Sequence, residues 1–168
     1  MLKFSDYKLI EYVSKKHGEQ KYGDKPYMYH ILKVKDVCDK FIDNYEFDEY
    51  NKNVIKISVM CHDLLEDTDT EYEELVKIFN EDVAKIVFNV TGVGTNRKQR
   101  NLNAYNKIKT DDRSIFVKLC DRISNVEESI KNNERLLKIY KEEYFLFKKN
   151  IFNGKFIEMW DYLDKLIN

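Results

Sequence analysis

Apolar residues return at every third or fourth position along nearly the whole chain, the spacing of a helix with one buried face. From about Asp6 to His17 the set is Leu9, Ile10, Tyr12 and Val13. The segment GEQKYGDK then interrupts the pattern with Gly18 and Gly23 and reads as a loop. Pro26 stands where a second helix is expected to begin, because a proline in the first turn sacrifices no hydrogen bond. Tyr27, Ile31, Val34, Cys38, Phe41 and Ile42 form the face of that helix. A third helix is predicted from about Asn53 to Leu65, with Ile57, Met60, Cys61 and Leu64 inward. Thr68 with Glu71, or Thr70 with Glu73, has the spacing of a capping box and predicts a fourth helix through Phe79. Glu81 to Val90 is a short fifth helix, and TGVGTNRKQRN at 91–101 is irregular. Helices follow from about Arg100 to Lys109, from Asp112 to about Asn132 and from about Glu134 to Phe152. Gly154 ends the last of these, and a terminal helix carries Phe156, Met159, Trp160 and Leu163. The expectation is one all-α domain over residues 1–168, a bundle of about eight to nine helices, with no repeat, linker or low-complexity segment.

Composition narrows the function classes. Five Gly and one Pro in 168 residues are too few for the turns of an all-β protein. With 43% hydrophobic and 35% charged residues the chain is expected to fold as an ordinary globular domain. Lys and Arg number 29 against 30 Asp and Glu, so a partner that is a nucleic-acid polymer is not expected. No apolar run approaches the roughly 18 residues of a membrane span. The N-terminal MLKFSDYKLIEYV is charged throughout and lacks the core of a signal peptide. The three cysteines, Cys38, Cys61 and Cys120, lie far apart in apolar surroundings and read as reduced core thiols of a cytoplasmic protein. Oligomeric state is left open.

Chemistry concentrates in CHDLLEDTDT at 61–70. At about 100° per residue, His62 shares a helix face with Glu66, and Asp63 with Asp67. An imidazole and several carboxylates in two otherwise apolar turns are costly to bury unless something pairs with them, and a divalent cation would. The alternative is that Asp67 or Asp69 only caps the next helix. His30, at the end of PYMYH, is either a core histidine or a ligand. Asp121, inside the apolar helix of VKLCDRISN, needs a partner that Arg122 or a neighbouring helix could supply. Three such groups on three helices suit a metal at the centre of a bundle. The basic stretch Asn96-Arg97-Lys98-Gln99-Arg100 is either a phosphate clamp or a solvated helix start. GVG at 92–94 lacks a preceding strand and reads as a loop. His17, Trp160 and the aromatic run at 144–147 read as structural.

The order His, His-Asp, Asp resembles the HD metal-dependent phosphohydrolase superfamily. More closely, HGEQKYGDKPYMYH, HDLLEDT, NRKQRN and VKLCDRISNVE resemble the alarmone hydrolase branch, the RelA/SpoT hydrolase domain and its small single-domain relatives. The likeness spans most of the chain. It implies that His30, His62, Asp63 and Asp121 are metal ligands and that Glu66 and Asp67 position and activate the attacking water. It further implies that Asn125 lies near the base or ribose and that Tyr144 contacts the nucleotide. Lys21 and Lys25 fall in the loop where relatives place an Arg-Lys pair; this loop is shorter and differently ordered, so either lysine could face the substrate. Arg97, Lys98 and Arg100 would grip the leaving pyrophosphate.

The activity implied is metal-dependent removal of the 3′-pyrophosphate of guanosine tetra- or pentaphosphate to give GDP or GTP. Two imidazoles and two carboxylates suit one Mn²⁺, with Fe²⁺, Zn²⁺ or Mg²⁺ as other divalent choices. Without chain left for a synthetase domain, a stand-alone degrader is expected. The alternatives are an HD phosphohydrolase acting on another nucleotide, such as the 2′-phosphate of NADPH or a deoxynucleotide, and a nucleotide-binding module without turnover.

Overall fold

A computed structural model describes residues 6–168, so the opening residues Met1–Ser5 of the N-terminal segment read above lie outside the described part. The elements in chain order are α1 (Asp6–His17), an antiparallel hairpin of β1 (Lys21–Tyr22) and β2 (Lys25–Pro26), α2 (Met28–Phe41), a 3-10 turn (Ile42–Asn44), α3 (Glu49–Cys61), α4 (Leu64–Asp67), α5 (Tyr72–Ile78), α6 (Glu81–Val90), α7 (Arg97–Ile108), α8 (Asp112–Asn132), α9 (Glu134–Ile151) and α10 (Ile157–Ile167). With the single turn α4 taken as a continuation of α3, the described residues form nine helices, as the all-α expectation had it.

The long helix α8 is the axis of the fold. It packs against α2, α3, α6, α7, α9 and α10. Ile115, Phe116, Leu119, Ile123 and Val126 on it have no exposed surface. A helix covered on so many sides can carry charge only where a partner waits. Its two buried charges, Asp121 and Arg122, are therefore the first indication of where the chemistry lies. Among the described residues no helix is long and apolar enough to cross a membrane, and all three cysteines are buried free thiols.

Element boundaries follow the local capping chemistry. Asp48, Asn80, Asn96, Asp111 and Asn133 precede α3, α6, α7, α8 and α9, and each side chain accepts a backbone N–H of the first turn. Asn96 thus starts α7 three residues before the expected Arg100, and the basic stretch is mostly helix. Neither expected capping box forms. Thr68 Oγ1 instead donates to the Leu64 carbonyl at 2.7 Å and closes α4, while Glu71 precedes α5 without a side-chain cap.

Pro26 does not open α2 either. It lies in β2 opposite Lys21, with Tyr22 opposite Lys25, and α2 begins at Met28. The turn is made possible by Gly23, whose φ of 63° is one that side chains disfavour.

Candidate active site

His30 on α2, His62 at the end of α3 and Asp121 on α8 come together in the interior. One nitrogen or oxygen from each lies within 4.8 Å of the other two. His30 Nε2 is 3.3 Å from His62 Nε2. Asp63 Oδ2 is 2.9 Å from His62 Nε2 and 3.5 Å from His30 Nε2. Asp121 Oδ1 is 3.6 Å and 3.7 Å from the same two nitrogens. Two donors held on one ion at bond lengths of about 2.1 Å sit roughly 3.0–3.4 Å apart. The two imidazole nitrogens have that separation.

The donor set fits a divalent cation on a second ground. His62 Nδ1 faces the Val59 carbonyl at 2.8 Å, which puts a proton on Nδ1 and leaves the Nε2 lone pair toward the cluster. That lone pair and two carboxylates around one point repel unless a positive charge lies between them. In the metal-free chain a proton meets that need. Burial alone pulls the His62 pKa down, but the adjacent Asp63 and Asp121 outweigh it and lift it to about 10. Burial pushes Asp63 and Asp121 up. The histidines outweigh it at Asp63, Lys118 with His62 at Asp121, and both carboxyls end well below the usual range.

Around this cluster opens a polar pocket. Glu66 and Asp67 on α4 line it, with Arg97, Arg100 and Asn101 of α7, Lys118, Arg122 and Asn125 of α8, Tyr140 of α9, and Tyr22 and Tyr27 from the hairpin region. Gly92 N donates to Glu66 Oε2 at 3.0 Å, and Arg100 Nε lies 3.8 Å from Glu66 Oε1. Tyr27 donates to Asp63 Oδ2 at 2.6 Å. Lys118 Nζ donates to Asp121 Oδ2 at 2.8 Å and Asn125 to Oδ1. Glu143 lies behind the two arginines. Its Oε1 accepts from Arg97 Nε at 2.6 Å and its Oε2 from Arg122 Nη1 at 3.2 Å.

Most of the expected site residues converge. His30, Asp63, Glu66, Asp67, Arg97, Arg100, Asp121 and Asn125 line one pocket, and His62 stands against His30 at its floor. Four do not reach it. Lys21 and Lys25 border a neighbouring cavity between the hairpin and α8, where Lys25 lies 3.6 Å from Glu128 and over the ring of Tyr29. Lys98 is exposed on α7 outside the lining. Tyr144 hydrogen-bonds to Asp164 of α10, and Tyr140, one turn earlier, takes the pocket position. A four-residue step moves about 6 Å along a helix, enough to leave the pocket.

Sequence reasoning missed Lys118, Arg122, Tyr22, Tyr27 and Tyr140. The signal for the first two was present, since both flank Asp121 in an apolar helix. The partner of Asp121 is Lys118, whereas Arg122 is engaged by Glu143.

The GVG loop has a packing role. A methyl group added at Gly92 would sit 2.7 Å from the Arg100 carbonyl oxygen, so the loop and the start of α7 could not keep their approach. Gly92→Ala is therefore expected to draw the Gly92 N–H away from Glu66. Overpacking of this kind costs about 1–3 kcal/mol, and disturbing a supporting contact costs about 10-fold or more in activity. A thermal melt beside a turnover assay checks both; an unchanged turnover would separate the loop from the function of Glu66.

No family model matches the chain. It is 37% identical over 139 residues to a guanosine-3′,5′-bis(diphosphate) 3′-pyrophosphohydrolase of Aquifex aeolicus, covering 79% of this chain and 19% of that one. It is 26% identical over 148 residues to the Drosophila melanogaster pyrophosphohydrolase MESH1, covering 84% of this chain and 79% of that protein. The solved structure of a metazoan SpoT orthologue that hydrolyses ppGpp superposes with a TM-score of 0.73 at 20% identity, over 99% of this chain and 96% of the other. The chain is thus similar over most of its length to SpoT-type pyrophosphohydrolases. The resemblance drawn from the motifs is thereby borne out, and the fold with it. Against the Aquifex member the chain spans about a fifth of the length.

Proposed function

We propose that this chain hydrolyses guanosine tetra- or pentaphosphate, releasing the 3′-pyrophosphate and leaving GDP or GTP. The observation that carries the reading is a single pocket that holds the buried His–His–Asp cluster, the adjacent carboxylates Glu66 and Asp67, and four cationic side chains, Arg97, Arg100, Lys118 and Arg122. Each of these cations has a carboxylate neighbour, and together they offer phosphate oxygens several donors at one polar cavity. The relatives named for this reaction support the same substrate.

His30, His62, Asp63 and Asp121 would hold one divalent ion, and the mixed nitrogen and oxygen donor set favours Mn²⁺. When bound, such an ion supplies Lewis acidity toward water and toward a phosphoryl oxygen. Water adds to the phosphorus that carries the ribose 3′ oxygen, and that P–O bond breaks. Glu66 and Asp67 hold the water, one of them takes its proton, and the departing 3′ oxygen takes up a proton from that acid or from solvent to become the hydroxyl. Arg97 and Arg100 bind phosphate oxygens and gain strength as the pyrophosphate departs. Asn125, bridging Tyr22 and Asp121, orients the nucleoside end. The three free thiols support a reducing, cytoplasmic setting, and the shared core supports one domain over the whole chain.

Release of pyrophosphate from ppGpp by the purified chain tests the proposal, with Mn²⁺, with chelator, and with Asp63→Ala. Turnover that needs both the ion and Asp63 supports it. A chain that binds Mn²⁺ yet leaves ppGpp intact while cleaving another nucleotide overturns the substrate.

Metal binding should also depend on pH. His62 has its pKa raised from 6.5 to about 10 in the metal-free fold. The stability it contributes is complete below about pH 6.5 and is lost as pH rises through about 10. A bound ion displaces that proton. At fixed Mn²⁺ the gain in melting temperature is expected to grow from about pH 6 to about pH 8.5. A gain that shrinks over this range would place the ion elsewhere.

A further inference from the structure

We propose that His17 and Gln20 are positioning residues for Asp67, with His17 fixing the Gln20 carboxamide so that its amino group faces the carboxylate. The part of this proposal that concerns turnover rests on the hydrolase reading above.

His17 closes α1 and is buried, outside the pocket and away from the metal-binding cluster. Its Nδ1 lies 2.8 Å from Gln20 Oε1, and its Nε2 is buried with no partner among the described residues. A neutral imidazole has one N–H and one lone pair. A buried N–H without an acceptor is the rarer and costlier arrangement. The proton therefore sits on Nδ1 and is donated to Gln20 Oε1. That bond leaves Gln20 Nε2 pointing the other way, where it donates to Asp67 Oδ2 at 2.9 Å. With the amide turned over, its oxygen would face a carboxylate and neither bond would form.

The backbone makes the arrangement rigid. Gln20 N donates to the His17 carbonyl at 3.0 Å, and the Gln20 carbonyl accepts from Tyr27 N at 3.0 Å. His17 also stacks on the Tyr27 ring at 4.5 Å, and Tyr27 donates to Asp63. Asp63 and Asp67, one turn apart, are thus each held by a side chain of the same His17–Gln20–Tyr27 unit. Asp67 is exposed to solvent and would otherwise sample several rotamers. The amide holds its carboxylate where it can take a proton from water.

Gln20→Met and His17→Phe keep side-chain bulk and remove the two hydrogen bonds, and the phenyl ring keeps the stack on Tyr27. Each is expected to lower kcat for pyrophosphate release by about 10- to 100-fold, the range for groups that orient a reacting side chain. KM and the Mn²⁺ concentration for half activation should not move. The double variant should lose no more than Gln20→Met alone, because both act through one relay. Losses that multiply, or that fall on KM, would make the pair merely structural and overturn the relay.

The second readout is independent of substrate. Nitrogen-15 NMR of the parent chain should place the His17 proton on Nδ1, and Gln20→Met should redistribute it. A proton on Nε2 in the parent overturns the orientation lock. A parent without turnover on ppGpp would overturn the proposed function instead, with the lock still decided by the NMR result.

Discussion

Replacing Asp121 with asparagine is expected to lower turnover by about 10³-fold or more and, in the same protein, to cost about 3–5 kcal/mol of stability. The two losses have different causes. Asp121 is 7% exposed on α8 and faces both imidazoles. Without its charge the cluster loses one of its anionic donors for the cation, and Lewis-acid stabilisation of several kcal/mol corresponds to roughly three powers of ten in rate. The stability loss falls on Lys118. Its side chain is 18% exposed and its ammonium sits 2.8 Å from Asp121 Oδ2. Burial pulls the Lys118 pKa down, and Asp121 outweighs burial to hold it up. Removing one member of such a pair leaves a buried charge without compensation, which is what costs about 3–5 kcal/mol.

Melts in chelator and turnover with Mn²⁺ measure the two effects separately. A second variant tells them apart. Asp121→Leu combined with Lys118→Met replaces the ion pair by apolar groups and should recover much of the stability while leaving turnover as low as in Asp121→Asn. If the double variant regains activity, Asp121 serves the fold and not the reaction.

The site was legible in the sequence where its chemistry forces an exception to burial. His62, Asp63 and Asp121 stand out because charged and imidazole groups interrupt helices that are otherwise apolar. The break between α3 and α4 was not legible, since HDLLED continues the helical spacing without Gly or Pro. The His62 ring sits at this break. The Val59 carbonyl that His62 Nδ1 occupies is the acceptor residue 63 would use in a continuing helix.

Lys21 lies outside the pocket for a reason of the same kind. In the two-residue strand β1 consecutive side chains point to opposite faces. Tyr22 takes the pocket side, stacking on His30 at 4.7 Å and donating to Asn125 at 2.8 Å, so Lys21 faces outward. A hairpin of four paired residues carries too little alternation to be read from sequence. Tyr140 and not the expected Tyr144 lines the pocket because aromatics fall on several faces of α9 and only the fold decides which turn meets the pocket. Arg97 and Arg122 share Glu143 across 46 and 21 residues, a pairing set by packing that no local pattern encodes.

Glu66→Gln is expected to lower turnover by about 10²- to 10⁴-fold, the range for loss of a general base, and to leave both the fold and metal binding as they were. The geometry makes this substitution selective. Glu66 lies outside the buried cluster, with its side chain 37% exposed. Its Oε2 accepts from Gly92 N at 3.0 Å, and a glutamine oxygen can accept the same bond. What the amide cannot do is take a proton from water. Surface substitutions that keep their contacts change stability by about 0.5 kcal/mol or less, so the melting temperature should hold, and so should its rise with Mn²⁺. Two results would count against the assignment in different ways. Turnover within about threefold of the parent, set against the hundredfold minimum for a general base, would pass the proton-accepting role to Asp67 alone, and the Gln20 relay would become the main support of that role. A lost Mn²⁺ response would instead make Glu66 a ligand of the ion, since an exposed carboxylate one turn beyond His62 has no other route to the cluster.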